Sequence, residues 1–153
     1  MLKAKTALDG YSAEINDVSI REIEDLDIIS LAVPKGGEKQ ISTTLKNQFG
    51  LAMPKPGKFS SASKGDAQLL WMSQDQFFLM QPTKATNPAK AIADLTDQKA
   101  YITDQSGSYA VLEVSGNRAL EALERICPIN LHEDEFKIGD VARTMMEHLG
   151  VVI

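Results

Sequence analysis

The sequence predicts an α+β fold made of two ferredoxin-like halves, each a split β-α-β motif. Three observations predict it. From Asp27 to Thr103 the segments read β-α-β-β-α-β, the order in which two helices cover one face of an antiparallel sheet. From Tyr109 the order begins again as β-α-β-β. The helical segments place apolar residues three and four apart, whereas the strand segments alternate or form short apolar runs. On this reading residues 1–17 are an N-terminal arm and residues 18–153 a single module. Its first half covers about 18–104; its second, about 105–153, stops before a last helix and strand.

Residues 1–17 are polar and aperiodic, as expected of an arm that is loose or laid along a partner. Val18–Ile23 suits a short strand. Asp27-Ile-Ile-Ser-Leu-Ala-Val33 is apolar and β-branched, a buried strand that Pro34 stops. Gly36-Gly37 turns the chain into a helix on which Ile41, Leu45 and Phe49 fall four apart. Gly50 follows where a left-handed C-cap belongs. Residues 54–66 hold prolines, glycines and serines throughout and predict a long polar loop.

Gln68–Met72 and Phe77–Gln81 form a pair of strands around the tight connection at residues 73–76. Asn87-Pro88 starts a helix, cap first and proline at the first helical position, with Ala89, Ile92 and Leu95 on its apolar face. Ala100–Thr103 is a strand. Residues 104–108 then turn the chain, with Gly107 free to take positive φ, and Tyr109–Val114 returns. Ser115-Gly-Asn117 is expected to cap a helix carrying Ala119, Leu120, Leu123, Ile126 and Cys127, which Pro128 ends. Val141–Glu147 is the next strand, and Gly150-Val-Val-Ile153 begins another.

The net charge is −5, with 16 basic residues against 21 acidic ones. Nucleic acid and anionic membranes need a concentrated basic face, and the lysines here are diluted by acids along the whole chain. The single cysteine, Cys127, cannot form an internal disulfide, which suits a reducing cytoplasm. No apolar run follows the N-terminal lysines, and no stretch reaches the ~18 apolar residues that a membrane span requires. These features predict a cytoplasmic protein with no nucleic-acid or membrane partner.

A search for chemistry yields little. Cys127 lies on an apolar helical stripe near the helix's C-terminal end, where a thiol is buried and inert. His132-Glu-Asp-Glu135 offers four ligand types that cannot all face one ion, so a solvated acidic loop is expected and no metal site. His148 reads as a surface histidine. The glycines of Ser106-Gly-Ser108 and Ser115-Gly-Asn117 are too few for a phosphate cradle. Asp75 and Asp104 are candidates for binding the N–H groups of a folate-like heterocycle, though both also suit strand-end turns. No acid, base and nucleophile set assembles, and no catalytic residue is assigned. The truncated second half should instead leave apolar ground uncovered. Leu131, Phe136, Val151, Val152 and Ile153 are the expected partner contacts.

Two segments carry a resemblance. Phe49-Gly-Leu-Ala-Met-Pro54 with Leu70-Trp-Met-Ser-Gln-Asp-Gln-Phe-Phe-Leu-Met80 is the first. The second is Ile102-Thr-Asp-Gln-Ser-Gly-Ser-Tyr-Ala-Val-Leu-Glu-Val-Ser-Gly-Asn-Arg-Ala-Leu-Glu-Ala-Leu123, running on to Cys127-Pro-Ile-Asn-Leu-His132, Phe136, Gly139 and Thr144. Over about residues 18–153 the chain resembles the gamma subunits of heterotetrameric sarcosine oxidase. It departs from them at Met72-Ser-Gln, so that only Trp71 and Asp75 carry over from that motif, and family members continue beyond the position of Ile153.

The resemblance implies a fold similar to the folate-binding domain of the glycine-cleavage aminomethyltransferases. It implies a non-catalytic subunit of an oxidoreductase complex that demethylates sarcosine to glycine and passes the one-carbon unit to tetrahydrofolate. FAD, FMN, NAD and tetrahydrofolate would serve the assembled complex, with none bound by this chain. Its partners would be the alpha, beta and delta subunits, chiefly alpha, and the isolated chain would self-associate. The alternative is an independent folate- or pterin-binding protein, or a one-carbon transfer enzyme of the aminomethyltransferase type. An iron–sulfur assembly factor of the same fold is disfavoured, because the lysine–glycine–cysteine motif of those proteins is missing.

Overall fold

In the computed structural model, residues 5–63, 65–83 and 86–153 are described. The chain divides into two units. One consists of residues 25–106 with 139–142; the other consists of residues up to 24, 107–138 and 143–153. We call the first the core unit and the second the flanking unit.

The core unit is organised on a five-stranded sheet. Its strands are β3 (Leu26–Ala32), β4 (Phe59–Ser61), β5 (Gln68–Ser73), β6 (Gln76–Pro82) and β7 (Tyr101–Asp104), in the order β4-β5-β6-β3-β7. Every adjacent pair is antiparallel. With α1 (Glu38–Phe49) after β3 and α2 (Pro88–Leu95) after β6, this order fits the split β-α-β motif expected, extended at one edge by β4.

β3 is an interior strand whose residues are buried on both faces. Ile29 and Leu31 on one face and Ile28 on the other are all enclosed. Ile29, Leu31, Leu69, Phe77 and Leu79 pack with Ile41 and Leu45 of α1 and Ile92 of α2 in one continuous cluster. Each such side chain contributes roughly 1.5–3 kcal/mol relative to an exposed one.

Both helix boundaries follow local chemistry. Gly50 closes α1 at φ 69°, donating its N–H to Lys46 and Leu45 carbonyls. The Asn87 side chain caps α2 by accepting from the Lys90 N–H at 2.9 Å.

Residues 57–61, within the predicted loop, are more ordered than a loop. β4 forms there on the edge of β5, and the stretch is stitched to residues 139–142. Phe59 N–H donates to the Gly139 carbonyl, Val141 N–H donates to the Gly57 carbonyl, and Lys58 pairs with Asp140.

The flanking unit contains a three-stranded sheet, β1 (Ser12–Ile15), β2 (Val18–Glu22) and β8 (Leu112–Ser115), in the order β1-β2-β8. It also contains α3 (Ala119–Glu124) and a separate hairpin of β9 (Arg143–Met146) and β10 (Leu149–Val152). The β-α-β-β order of the second half is therefore present. Its strands are distributed differently from a simple return, because β8 pairs with β2, 92 residues earlier at Arg21 and Glu113, and not with β7.

Three local expectations change here. Part of the polar arm, residues 12–15, is a strand, because β2 offers it a complete antiparallel register. Gly107 lies in a short 3-10 turn, Ser106–Ser108, and keeps negative φ, since that turn needs no left-handed residue. Arg118, and not Ser115 or Asn117, stands at the start of α3, and it makes no side-chain cap. Gly116 adopts φ 108° against the backbone of Asp17 and Val18, a place where a Cβ would collide with the Asp17 carbonyl.

Candidate docking surface

The sheet of the flanking unit is two-faced by register. Ala13 stands opposite Ile20, Ile15 opposite Val18, and Ile20 opposite Val114, with Leu112 two residues before Val114. These six apolar residues share one face. Ser12, Glu14, Ser19, Arg21, Glu113 and Ser115 alternate with them onto the other, where Arg21 donates to Glu113 at 2.9 Å.

α3 packs against β2. It is only six residues long, and the apolar face is left partly open: Ile15 is 56% and Leu112 46% exposed. Leu120 and Ile126 of the helical segment are exposed as well. On the hairpin Met145 is exposed, Leu149 is 73% exposed, and Ile138 in the preceding loop stands fully in solvent.

Two clusters of hydrogen bonds hold this unit's polar periphery. Glu22 accepts from the Thr6 hydroxyl at 2.8 Å, the Leu8 N–H at 3.0 Å and the Gly10 N–H at 2.8 Å, so the arm is anchored on one carboxylate. Burial pushes the Glu22 carboxyl up, but the hydrogen bonds from Thr6, Leu8, Gly10 and Tyr11 together outweigh it and hold the group below its ordinary value. On α3, the Arg118 guanidinium donates twice to Glu121, at 2.8 and 2.9 Å, and Arg125 donates once. The hydrogen bonds and charge of Arg118, helped by Arg125, bring the Glu121 carboxyl down to about 2.

The expected partner contacts all lie in this unit. Leu131 is buried, while Phe136, Val151, Val152 and Ile153 are half-buried. The more exposed apolar residues are neighbours the sequence reading passed over: Ile138, Met145 and Leu149. Their apolar character is legible in sequence, but Met145 and Leu149 stand on a hairpin whose strands pair only with each other among the described residues, and Ile138 stands in the loop before it.

Asp75 and Asp104 lie in the core unit, both exposed. Asp75 sits in the β5–β6 turn, its carbonyl accepting from the Val33 N–H, and Asp104 stands opposite Ile29 on the other flank of β3. Four residues along β3 and two strand spacings across put them on the order of 15 Å apart. One planar heterocycle cannot donate its N–H groups to both. Asp104 accepts from the Ser106 N–H at 2.9 Å, a local turn contact.

Cys127 is buried, and His132, Glu133, Asp134, Glu135 and His148 are exposed. Among the described residues no group of three His, Cys, Asp or Glu is placed to hold a metal ion. Nor is any helix among them long and apolar enough to cross a membrane. An open hollow of about 370 Å³ lies beside the start of α1, lined by Pro34, Gly36, Gly37, Lys99 and Tyr101. Its one cation, Lys99, is engaged with Asp97 at 3.2 Å.

Fold and surface together define a mixed α+β chain with a well-packed split β-α-β sheet and an open apolar side. No family model matches it. It is related, however, to the gamma subunits of sarcosine oxidase, bearing out the resemblance carried by residues 49–54, 70–80 and 102–144.

It is 28% identical over 137 residues to sarcosine oxidase subunit gamma of Corynebacterium sp. (strain P-1), covering 89% of this chain and 66% of that protein. To the Arthrobacter sp. protein of the same name it is 28% identical over 106 residues, or 69% of this chain and 52% of the other. The chain thus spans about two thirds or less of the length of the curated relatives it matches. In three dimensions it is similar to a chain of heterotetrameric sarcosine oxidase from Corynebacterium sp. U-96 solved with pyrrole 2-carboxylate. That match has a TM-score of 0.76 and 22% identity over 92% of this chain and 71% of that one. The mixed α+β class expected from sequence is thereby borne out.

Proposed function

We propose that this chain is the gamma-type subunit of a sarcosine oxidase-type complex, acting as a module over residues 18–153 that docks onto and stabilises the alpha chain. The observation carrying this reading is the coincidence of two facts. The chain is similar to named gamma subunits over 89% of its length, and its flanking unit leaves large apolar side chains in water that a soluble monomer has no reason to expose together.

In this reading FAD, FMN, NAD and tetrahydrofolate are bound in the assembled complex by other chains. The chain described here supplies no catalytic group; beta and delta chains complete the assembly in the cytoplasm. The reading is tested by co-expressing the chain with the alpha, beta and delta subunits from the same cells. The expected result is co-elution with a flavin-absorbing complex, together with self-association of the chain when it is purified alone. A clean monomer that never elutes with flavin absorbance sinks the proposal.

A further inference from the structure

β10 differs from the other strands that end a sheet. Among the described residues β1, β7, β8 and β9 each pair with a single strand, and each carries a charge: Glu14, Asp104, Glu113 and Arg143. Charges at an edge deter another chain from pairing there. β4, the remaining edge strand, already bonds outward from Phe59 to Gly139. β10 is Leu-Gly-Val-Val, followed by Ile153, a run with neither charge nor proline. Its sheet has two strands, and no other element packs closely against it. On a strand paired along one side, alternate residues turn their N–H and C=O to the open side. Among the described residues no backbone group outside the hairpin bonds to those of β10. A two-stranded hairpin is marginal in water, and further strands stabilise it.

We propose that the open edge of β10 pairs antiparallel with the same edge of a second copy of this chain. The two hairpins then form one four-stranded sheet in the order β9-β10-β10-β9, about a two-fold axis. Self-pairing sets a strand against its own sequence, and β10 meets no like charge when it does so. Pairing centred on Val151 places Leu149 opposite Ile153 of the second copy, and Gly150 opposite Val152. Residues directly opposite share a face, so Leu149, 73% exposed in the single chain, gains an apolar neighbour. The net charge of −5 makes two copies repel at long range, and salt screens that repulsion. The dimer is a property of the chain by itself and goes beyond the subunit reading.

The test follows the full chain by sedimentation equilibrium across a range of concentrations, at low and at moderate salt. A monomer–dimer equilibrium that tightens with salt is expected. Gly150 is exposed, has no positive φ, and a Cβ there meets nothing within 4 Å, so Gly150→Lys fits the hairpin. It should weaken the dimer ~10-fold, because a two-fold interface carries each substitution twice. Gly107→Lys makes the same change of charge at another open glycine without positive φ, and should stay within about twofold. Val151→Cys should cross-link the copies under mild oxidation, since opposed Cα atoms on paired strands stand ~4.5–5.5 Å apart, within disulfide reach. The native thiol, Cys127, is buried and does not compete.

A chain that stays monomeric at every concentration and salt overturns the dimer. Equal effects of the two lysines overturn this edge as its site. A dimer that Val151→Cys fails to cross-link overturns the pairing. A monomer whose co-elution with the flavin complex is lost on Gly150→Lys gives the edge to a heterologous strand and overturns the second copy as occupant. The subunit reading survives each of these results, because it is judged by co-elution of the unaltered chain with flavin absorbance.

Discussion

The two units of this protein solve the problem of burial differently. Among the described residues of the core unit sixteen apolar residues are buried and only Leu95 and Tyr101 are large, apolar and exposed. In the flanking unit, among the described residues, only Cys127 and Leu131 are buried apolar residues, against ten large exposed ones. Both have sheets and at least one helix, so secondary structure is not what separates them. The difference lies in cover. α1 spans twelve residues and lays Ile41 and Leu45 onto the core sheet, whereas α3 spans six and buries none of its own residues. A sheet is stabilised by what lies on it. In the flanking unit that cover is short, and large apolar side chains stay exposed.

The comparison is broken most directly at the core. Leu79 is fully enclosed, and Leu79→Ala should cost about 3–4 kcal/mol in urea unfolding, whereas Leu120→Ala on α3 should cost less than ~1 kcal/mol. Equal costs would mean that the flanking unit has a hidden core of its own.

Next in size is Gly116→Ala. Positive φ and collision with the Asp17 carbonyl should together cost about 2–4 kcal/mol. The loss should be read as faster amide exchange in β2 and β8, with β3 and β6 unchanged.

A smaller effect of opposite sign is expected at Asp27. It is buried on β3, and one carboxylate oxygen has no hydrogen-bond partner. Asp27→Leu should stabilise the isolated chain by about 1 kcal/mol, because an unsatisfied buried polar atom is removed. Lowered stability would show that this carboxylate is satisfied in solution.

The smallest effect is a pH dependence, and it sharpens the contrast, because both carboxyls with lowered values, Glu22 and Glu121, belong to the flanking unit. A group whose folded value is depressed contributes stability above its unfolded value, and that contribution is lost as pH falls through the folded one. Amide protection of β1, β2 and α3 should therefore fade as pH drops from about 4.5 towards 2, ahead of β3, β5 and β6. Simultaneous loss in both units would contradict the assignment.

Most of the core unit was legible in sequence. Ile41, Leu45 and Phe49 with Gly50, Asn87-Pro88, and the apolar run at 27–33 each combine a local signal with the packing they enter. β4 was not legible, since three residues between prolines and serines carry no periodicity and are held only by the edge of β5. β1 was hidden for the same reason, because Ser-Ala-Glu-Ile becomes a strand only when β2 lies beside it. The pairing of β8 with β2 spans so much chain that no local rule identifies it.

The exposed apolar surface was half legible. The sequence foretold uncovered apolar ground in the second half and named Leu131, which is buried, and Phe136 and Val151–Ile153, which are half-buried. The side chains standing furthest into water, Ile138 and Leu149, are set by tertiary placement, which no spacing reveals.

The long separation between β2 and β8 also has a consequence in time. The ribosome releases Arg21 ninety-two residues before its cross-strand neighbour Glu113. At ordinary synthesis rates that interval lasts about 5–18 s. Throughout it the first strands of the flanking unit wait without their partner while most of the core unit is already available to fold. Nascent chains of this kind are natural clients for a holding chaperone.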